Sequence, residues 1–96
     1  MKVELAEPVV DFVRRLPPEP KRRLRQAIRD LARGRGDLER LEGPLDGYCR
    51  LRVGGYHIVF AYGERDSVQC VFAEQRSIAY ELLIETLRKR LIEPGK

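Results

Sequence analysis

Apolar positions change their spacing several times along the chain, and each change marks an element. Lys2–Leu5 alternates polar and apolar residues and predicts a short strand. After Glu7-Pro8, the residues Val9, Phe12, Val13 and Leu16 recur at helical spacing, with proline in the first turn, where an amide has no intrahelical partner to lose. The run Leu16-Pro17-Pro18-Glu19-Pro20 breaks that helix. A second helix is expected from Pro20 to about Arg33, with Leu24, Ala27, Ile28 and Leu31 on one face and Arg22, Arg25, Arg29 and Arg33 spread over the others, until Gly34 and Gly36 end it. The two pieces predict a helical hairpin with a basic exposed side.

Residues 37–47 are polar, contain Gly43-Pro44 and Asp46-Gly47, and read as a connecting loop. Three strand-like runs follow at 48–53, 56–62 and 68–74, separated by Gly54-Gly55 and by Gly63-Glu64-Arg65-Asp66, which suit hairpin turns; they predict an antiparallel meander. From Ser77, a candidate N-cap, to about residue 92, Ala79, Leu82, Leu83, Thr86, Leu87 and Leu91 form a helical stripe that Pro94-Gly95 stops. The order β-α-α-β-β-β-α predicts an α+β fold: a small, antiparallel-rich four-stranded sheet with an N-terminal helical hairpin and a C-terminal helix.

Composition narrows this picture. A chain of 96 residues fits one domain over 1–96, and 43 % hydrophobic with 35 % charged residues suits a core under a charged shell. Nineteen Lys and Arg against fifteen Asp and Glu give a net charge of +4, with arginine far in excess of lysine, which favours a polyanion or an acidic protein as partner. No run approaches the roughly 18 apolar residues of a membrane span, and the start lacks a signal peptide's apolar core, so a cytoplasmic location without membrane contact is expected. Cys49 and Cys70 lack CxxC spacing and read as reduced core residues.

Candidate chemistry comes from strand alternation. Arg50 and Arg52 project from one face of their strand and Cys49, Leu51 and Val53 from the other. In the next strand Ile58 and Phe60 suit the core, which sends His57 to the arginine face. Arg76 follows the third strand, and Tyr80 lies one helical turn further on, so both can overhang that face. Guanidiniums, one imidazole and one phenol, with no carboxylate cluster in view, are a poor nest for Mg²⁺ or Zn²⁺ and need no cofactor. They suit metal-free RNA cleavage, in which the 2′-hydroxyl attacks and the protein moves a proton and neutralises the phosphate. An amphipathic strand needs a polar face in any case, and Arg76 and Tyr80 serve equally well as a helix-start contact and a core aromatic. The convergence of all five on one face favours chemistry.

The stretch Gly47-Tyr48-Cys49-Arg50-Leu51-Arg52-Val53-Gly54-Gly55-Tyr56-His57-Ile58-Val59-Phe60, followed by Arg76-Ser77-Ile78-Ala79-Tyr80, resembles the RelE/ParE superfamily of type II toxin-antitoxin toxins, its RelE branch in particular. Leu16-Pro17-Pro18 and Leu41-Glu42-Gly43-Pro44-Leu45 are similar to family members as well. The resemblance implies a toxin, an endoribonuclease that cuts messenger RNA in the ribosomal decoding site, with ribosomal RNA contacts and an antitoxin that silences it in a hetero-oligomer. On that basis Arg50 and Arg52 handle phosphate and proton transfer, Arg76 stabilises the transition-state phosphate, and Tyr80 lies near the scissile nucleotide. Two departures stand out: His57, where many relatives carry arginine, and Ala73-Glu74-Gln75, where many carry a glycine-histidine approach to the arginine. Arginine is a poor base, so histidine at 57 can take over the proton. The exposed Arg22, Arg25 and Arg29 are candidate RNA, ribosome or antitoxin contacts. A non-enzymatic gyrase inhibitor of the ParE branch and a catalytically inactive antitoxin-binding module remain the alternatives.

Overall fold

A computed structural model describes residues 1–75. Arg76, Tyr80 and the helix expected at 77–92 lie outside the described residues. In chain order the elements are β1 (Lys2–Leu5), α1 (Glu7–Arg14), α2 (Pro18–Leu31), β2 (Asp37–Arg40), a 3-10 turn (Gly43–Leu45), β3 (Cys49–Val53), β4 (Tyr56–Tyr62) and β5 (Ser67–Gln75). They form an α+β arrangement around one sheet, ordered β1-β5-β4-β3-β2.

Two features correct the expected four-stranded sheet. It has five strands among the described residues, because Asp37–Arg40, read from the sequence as loop, pairs antiparallel with β3. It is also mixed, because β1 lies parallel to β5 while the other pairings are antiparallel. The extra strand escapes hydrophobic patterning because Leu38 is its only apolar residue; its side chains are matched to β3 by charge. The helix start also shifts. Both Pro18 and Pro20 sit in the first turn of α2, where their missing amides forfeit no helical hydrogen bond, so the helix begins two residues earlier than Pro20.

Val9 and Val13 of α1 and Leu24 and Leu31 of α2 pack on Leu51, Ile58, Phe60, Val68, Cys70 and Ala73 of the sheet. Full burial of a large apolar side chain contributes about 1.5–3 kcal/mol each. Phe12 meets Tyr56 edge-on, with ring centroids 5.9 Å apart. The opposite face is not bare: Leu45 and Val59 are buried in a second cluster with Leu41, Tyr48, Val71 and Phe72 around them. A bulge contributes, since Val59 pairs with Phe72 and Phe60 with Cys70, leaving Val71 as the extra residue.

Candidate functional site

Register places the site. Asp37 of β2 is opposite Arg52 of β3, Arg52 opposite His57 of β4, and His57 opposite Glu74 of β5. Residues directly opposite share a face, so these four form one polar row across four strands, on the side away from α1 and α2. Two residues along lies a second row: Glu39, Arg50, Val59 and Phe72. It runs from an ion pair into the second apolar cluster.

Arg50, Arg52 and His57 therefore share the face that strand alternation indicates, but the two arginines differ in kind. Arg50 is 8 % exposed, and its guanidinium is hydrogen-bonded to the Glu39 carboxylate. The Arg52 side chain is half exposed, and its Nε stands 4.0 Å from an Asp37 oxygen. An ion pair that loose and wet contributes little, so an incoming phosphate can take Arg52 from Asp37 at small cost. Prising Arg50 from Glu39 is a larger step, because the guanidinium is already out of water.

Sequence reasoning found no carboxylates here, and this is a further correction: β2 supplies Asp37 and Glu39, and β5 supplies Glu74. Recognising β2 as a strand would have revealed them, since acid, apolar, acid, base in Asp37–Arg40 complements the basic alternation of β3. One Glu74 oxygen accepts the Gln75 amide at 2.8 Å, which fixes that carboxylate near its own backbone. Among the described residues no cluster of His, Cys, Asp and Glu is arranged to hold a metal ion. Chemically, the row sets an exposed anion binder beside a proton carrier, with a carboxylate outside each.

Arg22, Arg25 and Arg29 belong to α2, which covers the other face of the sheet, so they are not brought to this row. Arg22 grips Glu19 at 2.7 and 2.9 Å; the hydrogen bond and then the charge of Arg22 hold the Glu19 carboxyl below its ordinary range and raise Arg22 in turn. Arg29 donates to Gln26 at 3.0 Å, and Gln26 in turn donates to Asp30. Arg25 and Arg29, with Arg14, border a groove of about 480 Å³ whose apolar lining is Leu5, Val10, Val13 and Ile28. A larger cleft, about 830 Å³, lies beside β2 and includes Arg40, Tyr48, Cys49 and Tyr62. Burial pushes the Cys49 thiol up against the opposing pull of Arg40, and pushes Cys70 up to about 11, so neither is set up as a thiolate nucleophile.

No family model and no curated protein matches the chain. Solved structures do. A chain of the RelE-RelB complex from Pyrococcus horikoshii OT3 is 25 % identical with a TM-score of 0.63, over 81 % of this chain and 97 % of that one. A chain of the RelB-RelE antitoxin-toxin complex from Methanococcus jannaschii is 20 % identical with a TM-score of 0.66, over 82 % and 96 %. A chain of the RelBE2 toxin-antitoxin complex from Mycobacterium tuberculosis is 22 % identical with a TM-score of 0.69, over 79 % and 91 %. The fold is thus that of chains found in toxin-antitoxin complexes.

Proposed function

We propose that this chain is the toxin of a type II toxin-antitoxin pair and cuts messenger RNA on the ribosome without a metal. The observation that carries the reading is the exposed Arg52 directly opposite His57, on a fold similar to chains of RelE-RelB complexes. The 2′-hydroxyl attacks the adjacent phosphorus, His57 takes or returns the proton, and the 5′-oxygen leaves protonated, giving a cyclic phosphate and a 5′-hydroxyl. Arg52 and Arg76 neutralise the crowded phosphate, and Tyr80 stacks on a base or shares the proton transfer. Arg50, held by Glu39, lends its charge from behind and ties the edge strand β2 to β3.

The partner in this reading is an antitoxin whose acidic amphipathic segment meets the groove bordered by Arg14, Arg25 and Arg29, forming a hetero-oligomer. Arg22, Arg25 and Arg29 anchor ribosomal RNA when the antitoxin is absent, which makes affinity salt-dependent. A cytoplasmic location follows from the ribosomal target, and no helix among the described residues is long and apolar enough to cross a membrane.

A second reading has its own support: Asp37 and Glu39 stand opposite both strand arginines, as suits a neutralised face on a module that only binds its antitoxin. Mapping RNA 5′ ends in expressing cells, beside a gyrase supercoiling assay, separates these. Codon-phased cuts are expected; gyrase inhibition with intact messages points to the ParE branch, and neither result with antitoxin binding retained points to the inert module. If His57→Gln keeps full cleavage while Arg52→Ala abolishes it, the proton role of His57 is wrong.

A further inference from the structure

The tip of the β3–β4 hairpin is Gly54-Gly55, with Arg52 two residues before the first glycine and His57 two after the second. Gly54 has φ +58°, a conformation L side chains rarely adopt. The space a Cβ would enter is already taken: Nη2 of Arg23, reaching over from α2, lies 2.8 Å from that position. Among the described residues nothing lies within 4 Å of the Cβ direction of Gly55. One glycine is therefore capped by a guanidinium, and the other leaves bare backbone open to whatever approaches.

Arg23 also differs in charge balance from Arg22 beside it and from the strand arginines. Arg14 has Asp11 at 3.5 Å, Arg22 has Glu19 at 2.7 Å, Arg50 has Glu39, and Arg52 has Asp37 at 4.0 Å. Among the described residues no carboxylate lies within ion-pair distance of Arg23. Glu19, one turn earlier on α2, feels its charge, but its oxygens are taken by Arg22. The hairpin tip is thus flanked by Arg23 from the helix side and by Arg52 on the reverse face, with no side chain on the turn between them.

We infer that Arg23, which caps Gly54, and the open backbone of Gly55 form an accessory phosphate site, over which single-stranded RNA passes to reach the Arg52–His57 pair. The inference rests on the RNA-cutting reading above and adds a path for the strand. A two-residue tip without β-carbons lets a phosphodiester backbone approach closely, and only a flexible single strand can touch a guanidinium on each side of it. Arg23 acts on affinity and not on the reacting atoms.

The test uses the full chain, a short single-stranded RNA with every 2′-hydroxyl methylated as the binding probe, and ribosome-bound message for cutting. Arg23→Gln is expected to weaken probe binding about three- to tenfold and to lower the slope of log K against log salt by about 0.7, the share of one phosphate on a single strand. Arg23→Lys keeps the slope, because charge is what the phosphate reads. Lys2→Gln, a paired cation on β1 with Glu4 at 3.8 Å, changes binding less than about twofold. The single-turnover cutting rate at saturation stays near that of the wild type in Arg23→Gln. An unchanged salt slope in Arg23→Gln, or an equal loss in Lys2→Gln, overturns the site. So does loss of binding to an acidic peptide in Arg23→Gln with the RNA slope intact, which would assign Arg23 to a protein. A wild type that binds the probe but cuts nothing overturns the nuclease reading and leaves the phosphate site standing; one that binds no RNA overturns both.

Discussion

The buried guanidinium of Arg50 is held by the carboxylate of Glu39, a residue of the sheet's edge strand, while Arg52, two positions along the same face, is half exposed and only loosely paired. One strand thus carries one arginine committed to the fold and one available to a ligand. A basic alternation in sequence does not distinguish the two; the strand laid alongside it does.

Glu39→Gln removes the carboxylate charge from the buried Arg50 guanidinium, and a loss of about 1–3 kcal/mol is expected. Asp37→Asn, at the exposed pair, should move stability by less than about 0.5 kcal/mol. Urea unfolding of both variants, read as midpoints at constant slope, checks the contrast. Equal shifts would mean that Arg50 does not depend on Glu39.

Gly36 is the residue before β2, with φ +140°, and a Cβ there would stand 2.7 Å from Cδ1 of Leu51 in the core. Alanine adds backbone strain and a clash together, so Gly36→Ala should destabilise by about 2–3 kcal/mol. Gly47, at φ +95° with nothing within 4 Å among the described residues, carries strain alone, and Gly47→Ala should cost about 1 kcal/mol. Thermal melts of the pair separate the contributions.

Leu45 anchors the smaller cluster on the site's side of the sheet, and Leu24 is fully buried in the main core. Leu24→Ala should cost about 3–4 kcal/mol and Leu45→Ala about 2 kcal/mol, the small cluster being freer to collapse. Hydrogen exchange should show the loss at Leu45 concentrated in the amides of β2 and the start of β3, with the helices protected as before.

The hairpin strands and the shared face of Arg50, Arg52 and His57 were legible because alternation along β3 and β4 obeys a period of two. β2 was not, since a strand with one apolar residue is defined by partners remote in sequence. The second cluster did leave a trace: Ile58-Val59-Phe60 is an unbroken apolar run, the mark of a strand covered on both faces. Nothing local indicates that β1 joins β5 in parallel, because that pairing is decided by how the helical hairpin returns the chain. Nor did sequence show that Arg25 and Arg52 face opposite sides of the molecule, which depends on which face α2 covers.

Cys70 is fully buried, and its thiol is pushed up to about 11 from an ordinary 9.0. A group with a raised folded value keeps its full contribution below pH 9 and loses it as pH climbs toward 11, because the unfolded chain releases the proton first. Stability should fall by about 2–3 kcal/mol across that window on this account, and Cys70→Ala should flatten that part of the profile. Chemical denaturation at several alkaline pH values measures it.

The parallel pairing of Lys2–Leu5 with Ser67–Cys70 has a consequence for synthesis. β1 is made before the other strands of this sheet, its one sheet neighbour among the described residues is β5, and Ala6 waits for the carbonyl of Cys70. A nascent chain stalled before β5 can form its helices and the β3–β4 hairpin, but it holds a strand without a berth and a core missing Val68, Cys70 and Ala73. The sheet closes only once β5 has been made, so a fragment released before β5 should be prey for proteases while a chain that includes it is not.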